Sequence, residues 1–147
     1  MRFPRRGLAA ALAVVVGAAG LTAACSDSLA TAPAALDARG SYVLRSVNAQ
    51  PLPVFMSDIG GKRVELVAGE LSISSSLFSQ LLTFRETVSA QTSHRQSLAQ
   101  GEVSVDGSRI RFRVFGGGEF EGTLAGNRLE YTIQGNNGPL VFLFEKS

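Results

Sequence analysis

Few side chains in this sequence have the chemistry for catalysis, and their spacing works against it. The single histidine, His94, sits in the polar run Gln91-Thr-Ser-His-Arg-Gln96. The single cysteine is Cys25. One of each excludes a multi-histidine or cysteine-rich metal site and an internal disulfide framework. Ser74-Ser75-Ser76 has no base beside it and reads as a turn. No nucleophile elbow, Ser-x-x-Lys or His-Glu-x-x-His spacing occurs. Glu119 and Glu121 share one strand face, but it is the wet face, where burial cannot tune a proton donor. Glu86 and His94 are the last candidates for a hydrolase. The sequence points to a protein that is not an enzyme, and nothing in it calls for a cofactor or a metal.

Charge narrows the partners. The chain has 147 residues, 14 basic and 12 acidic, which suits one domain. Arg2, Arg5 and Arg6 precede any acid, so from Cys25 onward 11 basic side chains meet 12 acidic ones. The basic excess belongs to the N-terminal leader, and nucleic acid loses its main electrostatic argument. Arg109, Arg111 and Arg113 alternate along one strand, with Glu102, Glu119, Glu121 and Glu130 nearby. An anionic partner could use that row. The plainer reading is a solvated cross-strand charge ladder, each pair contributing roughly 0.2–1 kcal/mol.

The elements that position these residues begin after a leader. Met1–Arg6 is a short basic start, and Gly7–Ala24 is an uncharged run of Ala, Leu, Val and Gly. That is the pattern of an export signal over residues 1–24. Leu21-Thr22-Ala23-Ala24-Cys25 resembles a bacterial lipoprotein signal. The resemblance implies diacylglycerol on the Cys25 sulfur, cleavage after Ala24 and acylation of the new amine, for example by palmitate. Thr22-Ala23-Ala24 also suits an ordinary signal peptidase, which leaves simple secretion open, and an uncleaved anchor is the third reading. Ser26 after the cysteine resembles the class sorted to the outer membrane. Residues 25–40, rich in Ala, Ser, Asp and Pro, read as the lipidated cysteine and a flexible tether. A short helix over Ala34–Ala38 is the alternative.

From residue 41 to 147 the pattern is strand and turn. Val, Ile, Thr, Phe and Tyr alternate with polar residues between glycine clusters. Asp106-Gly107, Gly116-Gly117-Gly118 and Gly126-Asn127 mark three hairpin turns. With those turns, Val105 faces Ser108, Val114 faces Phe120, and Leu124 faces Leu129. One face then collects Val103, Ile110, Phe112, Val114, Phe120, Leu124, Leu129, Tyr131 and Ile133. The other collects Glu102, Arg109, Arg111, Arg113, Glu121, Glu130 and Thr132. A slip of one residue in any turn would break that agreement. Gly101 and Gly122 fall on the apolar face, where they leave room for rings and let strands bend.

The remaining strands follow from composition. Tyr42–Val47 is the first. Arg63–Ser74 reads as one strand whose apolar positions change from even to odd near Ala68-Gly69, the mark of a β-bulge. Leu81–Ala90 is a strand with Leu82, Phe84 and Val88 inward, Gln91–Gln96 a loop, and Leu140–Glu145 the last strand. Eight antiparallel strands suit an all-β, up-and-down barrel, with a β-sandwich as the alternative. No segment after residue 40 reads as a long helix.

Gly40-Ser41-Tyr42-Val43-Leu44, followed by Val47-Asn48 and Pro51-Leu52-Pro53, is similar to the first strand of small bacterial lipocalin-like lipoproteins, which are calycin-type barrels. Lipocalins usually carry Gly-x-Trp where this chain has Gly40-x-Tyr42. The resemblance implies a small apolar molecule inside the barrel, or no ligand in degenerate members. Phe84, Phe112, Phe120, Tyr131 and Phe142 are the inward rings that could line such a pocket or simply fill the core. Phe55 lies in an apolar loop, Asn48–Lys62, that could plug the mouth, act as a lid or touch a partner. The expected function is a membrane-anchored cell-envelope lipoprotein binding a small hydrophobic ligand. The alternative is an envelope protein-interaction module with a packed barrel and no ligand.

Overall fold

The computed structural model describes residues 36–135 and 137–147. The leader, Cys25 and the tether as far as residue 35 lie outside those residues. Ten strands follow one another in the described part: β1 (Gly40–Val47), β2 (Gln50–Pro51), β3 (Val54–Ile59), β4 (Lys62–Ser74), β5 (Leu77–Val88), β6 (Gln91–Asp106), β7 (Arg109–Val114), β8 (Glu119–Ala125), β9 (Arg128–Gly135) and β10 (Gly138–Lys146). From β3 to β10 each strand pairs with the next, β10 pairs with β1, and Gly40–Val43 of β1 pairs with Glu70–Ile73 of β4. That last pairing closes eight strands, β1 and β4 through β10, into an antiparallel up-and-down barrel. The architecture is compatible with a lipocalin-like barrel. Farther along, β1 and β4 part. There Ser46–Val47 pairs with β2 and Lys62–Leu66 with β3. The expected loop Asn48–Lys62 is therefore two short strands and their turns.

The third hairpin has the expected register: Leu124 is opposite Leu129 and Gly122 opposite Tyr131. The first two are displaced by two residues. Val103 is opposite Phe112 and Asp106 opposite Arg109, so the turn residues are Gly107 and Ser108. Gly107 has φ +59°, as a turn with glycine in its first central position requires. Phe112 is opposite Phe120, and Arg113 opposite Glu119. A displacement of two preserves parity, so every side chain keeps its expected face. Val103, Ile110, Phe112, Leu124, Leu129 and Tyr131 are buried, while Val114, Phe120 and Ile133 pack against them.

Two other expectations change. Gln91–Gln96 is strand, not loop: it pairs with Phe84–Val88 and beyond in one unbroken register. The turn is Ser89-Ala90, both residues in the left-handed region at φ +48° and +67°. The run is polar because both its faces are exposed, which removes the alternation that marks a half-buried strand. Val88, near the same tip, is exposed rather than inward-packed. The bulge in β4 falls on Val67, between Leu66 and Ala68. Val64 and Leu66 precede it on the inner face, and Leu71 and Ile73 follow it.

Leu36–Arg39, within the stretch read as tether, are held against the barrel. Tyr42 Oη donates to the Ala38 carbonyl at 2.7 Å, Lys146 Nζ donates to the Asp37 carbonyl at 3.3 Å, and Leu36 packs on the core.

Candidate functional site

Alternation on β5 and on β7 through β10 sends aromatic rings to one place. Phe78 (β5), Phe112 (β7), Phe120 (β8), Tyr131 (β9), and Phe142 and Phe144 (β10) form a continuous aromatic chain. Phe112 stacks on Phe120 at 4.7 Å between centroids, Phe120 meets Tyr131 at 4.7 Å, and Tyr131 stacks on Phe142 at 5.2 Å. Phe78 meets Phe112 edge-on at 5.0 Å. Such pairs contribute about 0.5–1.5 kcal/mol each beyond their buried area. Two glycines make the approach possible. A Cβ at Gly101 would lie 2.7 Å from the Phe78 ring and against the Arg113 carbonyl oxygen. One at Gly122 would press on Tyr131 Cβ and the Glu130 carbonyl oxygen.

A polar contact joins two strands inside the barrel. Gln80 Nε2 donates to Tyr131 Oη, and both residues are buried. Burial pushes the Tyr131 phenol well above its ordinary range, and the Gln80 hydrogen bond offsets part of that. Gln80 was not legible as a core residue because its type is usually exposed. Its even position between Phe78 and Leu82 was the available signal. Phe78 and Tyr42, also core rings, were not among the expected site residues.

The structure thus brings four of the expected ring residues together: Phe112, Phe120, Tyr131 and Phe142. Phe84 lies outside that chain of rings: it is half-buried, packs against the core on the β5 strand between Leu66 and Arg95, and has the Arg95 guanidinium 5.2 Å from its ring centre. Phe55 points outward and is 54% exposed, with Arg63 over it at 5.4 Å. Its neighbours Leu52, Val54 and Met56 are the loop residues that pack against the core. The surface carries clefts of about 260 to 450 Å³, the largest of them lined by outward groups such as Ser72, Ser79, Leu81 and Leu98. None of these clefts is lined by Phe112, Phe120, Tyr131 or Phe142.

The charged candidates are tied to one another. Arg111 binds Glu121 at 2.6 Å and Glu119 at 3.0 Å. The hydrogen bond from Arg111 holds the Glu121 carboxyl below its usual range. Glu86 is held down in the same way by Lys62, then Arg95, at 2.7 and 2.9 Å. Glu65, outward but covered, accepts from Arg85 at 2.7 Å and Arg63 at 2.9 Å, and its carboxyl is likewise lowered. Carboxylates held ionised in this way accept hydrogen bonds and do not donate protons near neutral pH. His94 stands opposite Arg85 on the exposed ribbon of β5 and β6. Among the described residues, no three His, Cys, Asp or Glu side chains gather as a metal site. None of the known protein families, curated proteins or solved structures matches this chain.

Proposed function

We propose that this chain is a membrane-anchored cell-envelope lipoprotein whose barrel serves as a non-enzymatic protein-interaction module. The observation that carries the reading is the chain of rings in contact from Phe78 to Phe144, some stacked and some edge-on or tilted, with the Tyr131 hydroxyl already bonded to Gln80. Eight strands is the size at which side chains alone can fill a barrel. The anchor is supported by Leu21-Thr22-Ala23-Ala24-Cys25, and stable membrane attachment needs the second acyl chain that such processing supplies. Ser26 supports the outer membrane, facing the periplasm, in a two-membrane host. The lipocalin-like resemblance is supported at the level of the closed barrel.

Native mass spectrometry of gently purified protein tests both parts. The expected mass is the chain from Cys25 with its acyl groups and no other adduct. A co-purifying apolar molecule, or saturable uptake of a hydrophobic fluorophore, would overturn the packed-barrel reading. An unmodified Cys25, or a mass that Cys25→Ala lowers only by the sulfur lost, would overturn the anchor.

A carrier of a small hydrophobic ligand is the second reading. It draws on Phe84, half-buried beside Leu82 and outside the ring chain. Fluorophore uptake that Phe84→Ala abolishes would favour it.

A further inference from the structure

β6 meets β7 only from Gly101 to Asp106. β5 pairs with β6 all the way from Gln91 to Glu102. Every residue from Gln91 to Leu98 is exposed. That stretch has an edge with no strand beside it among the described residues. Antiparallel alternation identifies the groups that face outward. The Val103 N–H donates to Ser76 O at 2.7 Å, so odd-numbered residues of β6 bond to β5. Gln100 O accepts the Phe115 N–H at 2.8 Å on the opposite side, as the alternation requires. Thr92, His94, Gln96 and Leu98 therefore direct their backbone N–H and C=O at the open edge.

Proteins blunt such edges with bulges, prolines or lysines. β3, the terminal strand beyond β4, has a bulge at Met56 and follows Pro53. β6 from Gln91 to Ala99 has neither proline nor lysine, and its register with β5 is unbroken. Its one arginine is neutralised: Arg95 donates to Glu86 at 2.9 Å and lies over Phe84.

We propose that this edge is a homodimer interface, in which two copies of the chain pair their β6 strands antiparallel about a two-fold axis at His94. The register follows from charge and from the groups already used. An axis at Arg95 would set two arginines directly opposite each other, which is unfavourable. An axis at Gln96 would ask Gln100, whose carbonyl is already taken by Phe115, to pair with Thr92 of the second copy. An axis at His94 pairs Thr92 with Gln96 of the second copy and places Arg95 opposite Ser93. All the bonds it needs come from outward-directed groups. From Cys25 onward the chain has 11 basic and 12 acidic residues, so two copies carry little net repulsion. A two-fold contact is self-complementary and closes, so it yields a dimer and not a fibre. The pairing goes beyond the interaction-module reading, because it needs neither a lipid anchor nor a packed interior.

Sedimentation equilibrium of the full chain in density-matched detergent tests it, with twice the protomer mass expected. Gln96→Pro removes an N–H that faces the open edge and spares the bonds to β5. It is expected to raise the dimer dissociation constant about tenfold or more, with the circular-dichroism strand signal unchanged. His94→Lys leaves the backbone untouched and sets two ammonium groups across the axis, so the same direction is expected. The Thr92, His94 and Gln96 amides are expected to exchange more slowly as protein concentration rises. A monomer mass at every concentration overturns the proposal. A dimer that survives both substitutions overturns it by placing the interface elsewhere. Protection of those amides that does not depend on concentration overturns it by assigning the edge to another part of the same chain.

Discussion

Gln80, from β5, donates its side-chain amide to the hydroxyl of Tyr131, from β9, across the interior of the barrel. Each group satisfies the other where both are buried. A buried donor left without its acceptor costs more than the bond contributes. Tyr131→Phe is therefore expected to destabilise the domain by about 1–3 kcal/mol in chemical denaturation. Adding Gln80→Leu to that variant is expected to restore much of the loss, since no polar group is then stranded. A double variant no better than the single one would mean that the pair is not coupled.

Gly101 and Gly122 are fixed by what surrounds them. A methyl at Gly101 would collide with the Phe78 ring and with backbone, and backbone cannot rotate aside as a side chain can. Gly101→Ala and Gly122→Ala are each expected to cost about 2 kcal/mol or more. Gly107→Ala has open space around it and is expected to cost less, through its φ of +59° alone. Urea midpoints for the three variants check the order.

Two tight turns carry alanine where glycine is the easier residue. Ala49 has φ +62° and Ala90 φ +67°, a region unfavourable for a residue with a Cβ. Ala49→Gly and Ala90→Gly are each expected to stabilise the fold by roughly 0.3–1 kcal/mol, after glycine's extra chain entropy is counted. Asn48 must stay: its Oδ1 accepts the Val141 N–H at 2.8 Å and so joins β1 to β10 beyond their paired residues. Thermal midpoints of Ala90→Gly and Asn48→Ala are expected to move in opposite directions.

Stability is expected to fall on the acid side. Arg85, then Arg63, lowers the Glu65 carboxyl below its ordinary value of 4.5. Glu86 and Glu121 are lowered by their own cationic partners. A folded-state value below the unfolded one means the folded chain holds fewer protons in that range. The contribution is complete above pH 4.5 and is lost as pH falls through the lowered values. Melting temperature is expected to be flat from neutrality to that point and then to drop. Glu65→Gln is expected to lower it at neutral pH and to make the acid decline shallower. An unchanged acid slope would mean that the Arg63–Glu65–Arg85 cluster adds nothing.

The faces of the C-terminal strands were readable because a strand's side chains alternate with period two, and that period survives an even error in register. Phe112 and Tyr131 stay inward whether Phe112 meets Gly122 or Phe120. At the first hairpin the partners differ from the expected ones because Asp106-Gly107-Ser108 allows two different two-residue loops, and the left-handed backbone at Gly107 selects Gly107-Ser108. At the second, the Val114 N–H donates to Gly118 O, so the turn is Phe115–Gly117 and Phe112 meets Phe120. Gln91–Gln96 was misread because the β5–β6 ribbon exposes both faces of that run, so no alternation marks it. Gln80 was hidden for the opposite reason, a polar residue kept inside by a partner 51 positions away.

What the residue order determined by itself was local: which segments extend, where they turn, and which side of each is greasy. Only tertiary structure decided that β1 closes on β4, that the rings of Phe112, Phe120, Tyr131 and Phe142 meet while Phe55 turns outward, and that β6 outruns β7 and leaves an edge. Those outcomes depend on strand lengths, bulges and the pairing of residues far apart in the chain, and no short window of sequence contains both partners of such a contact.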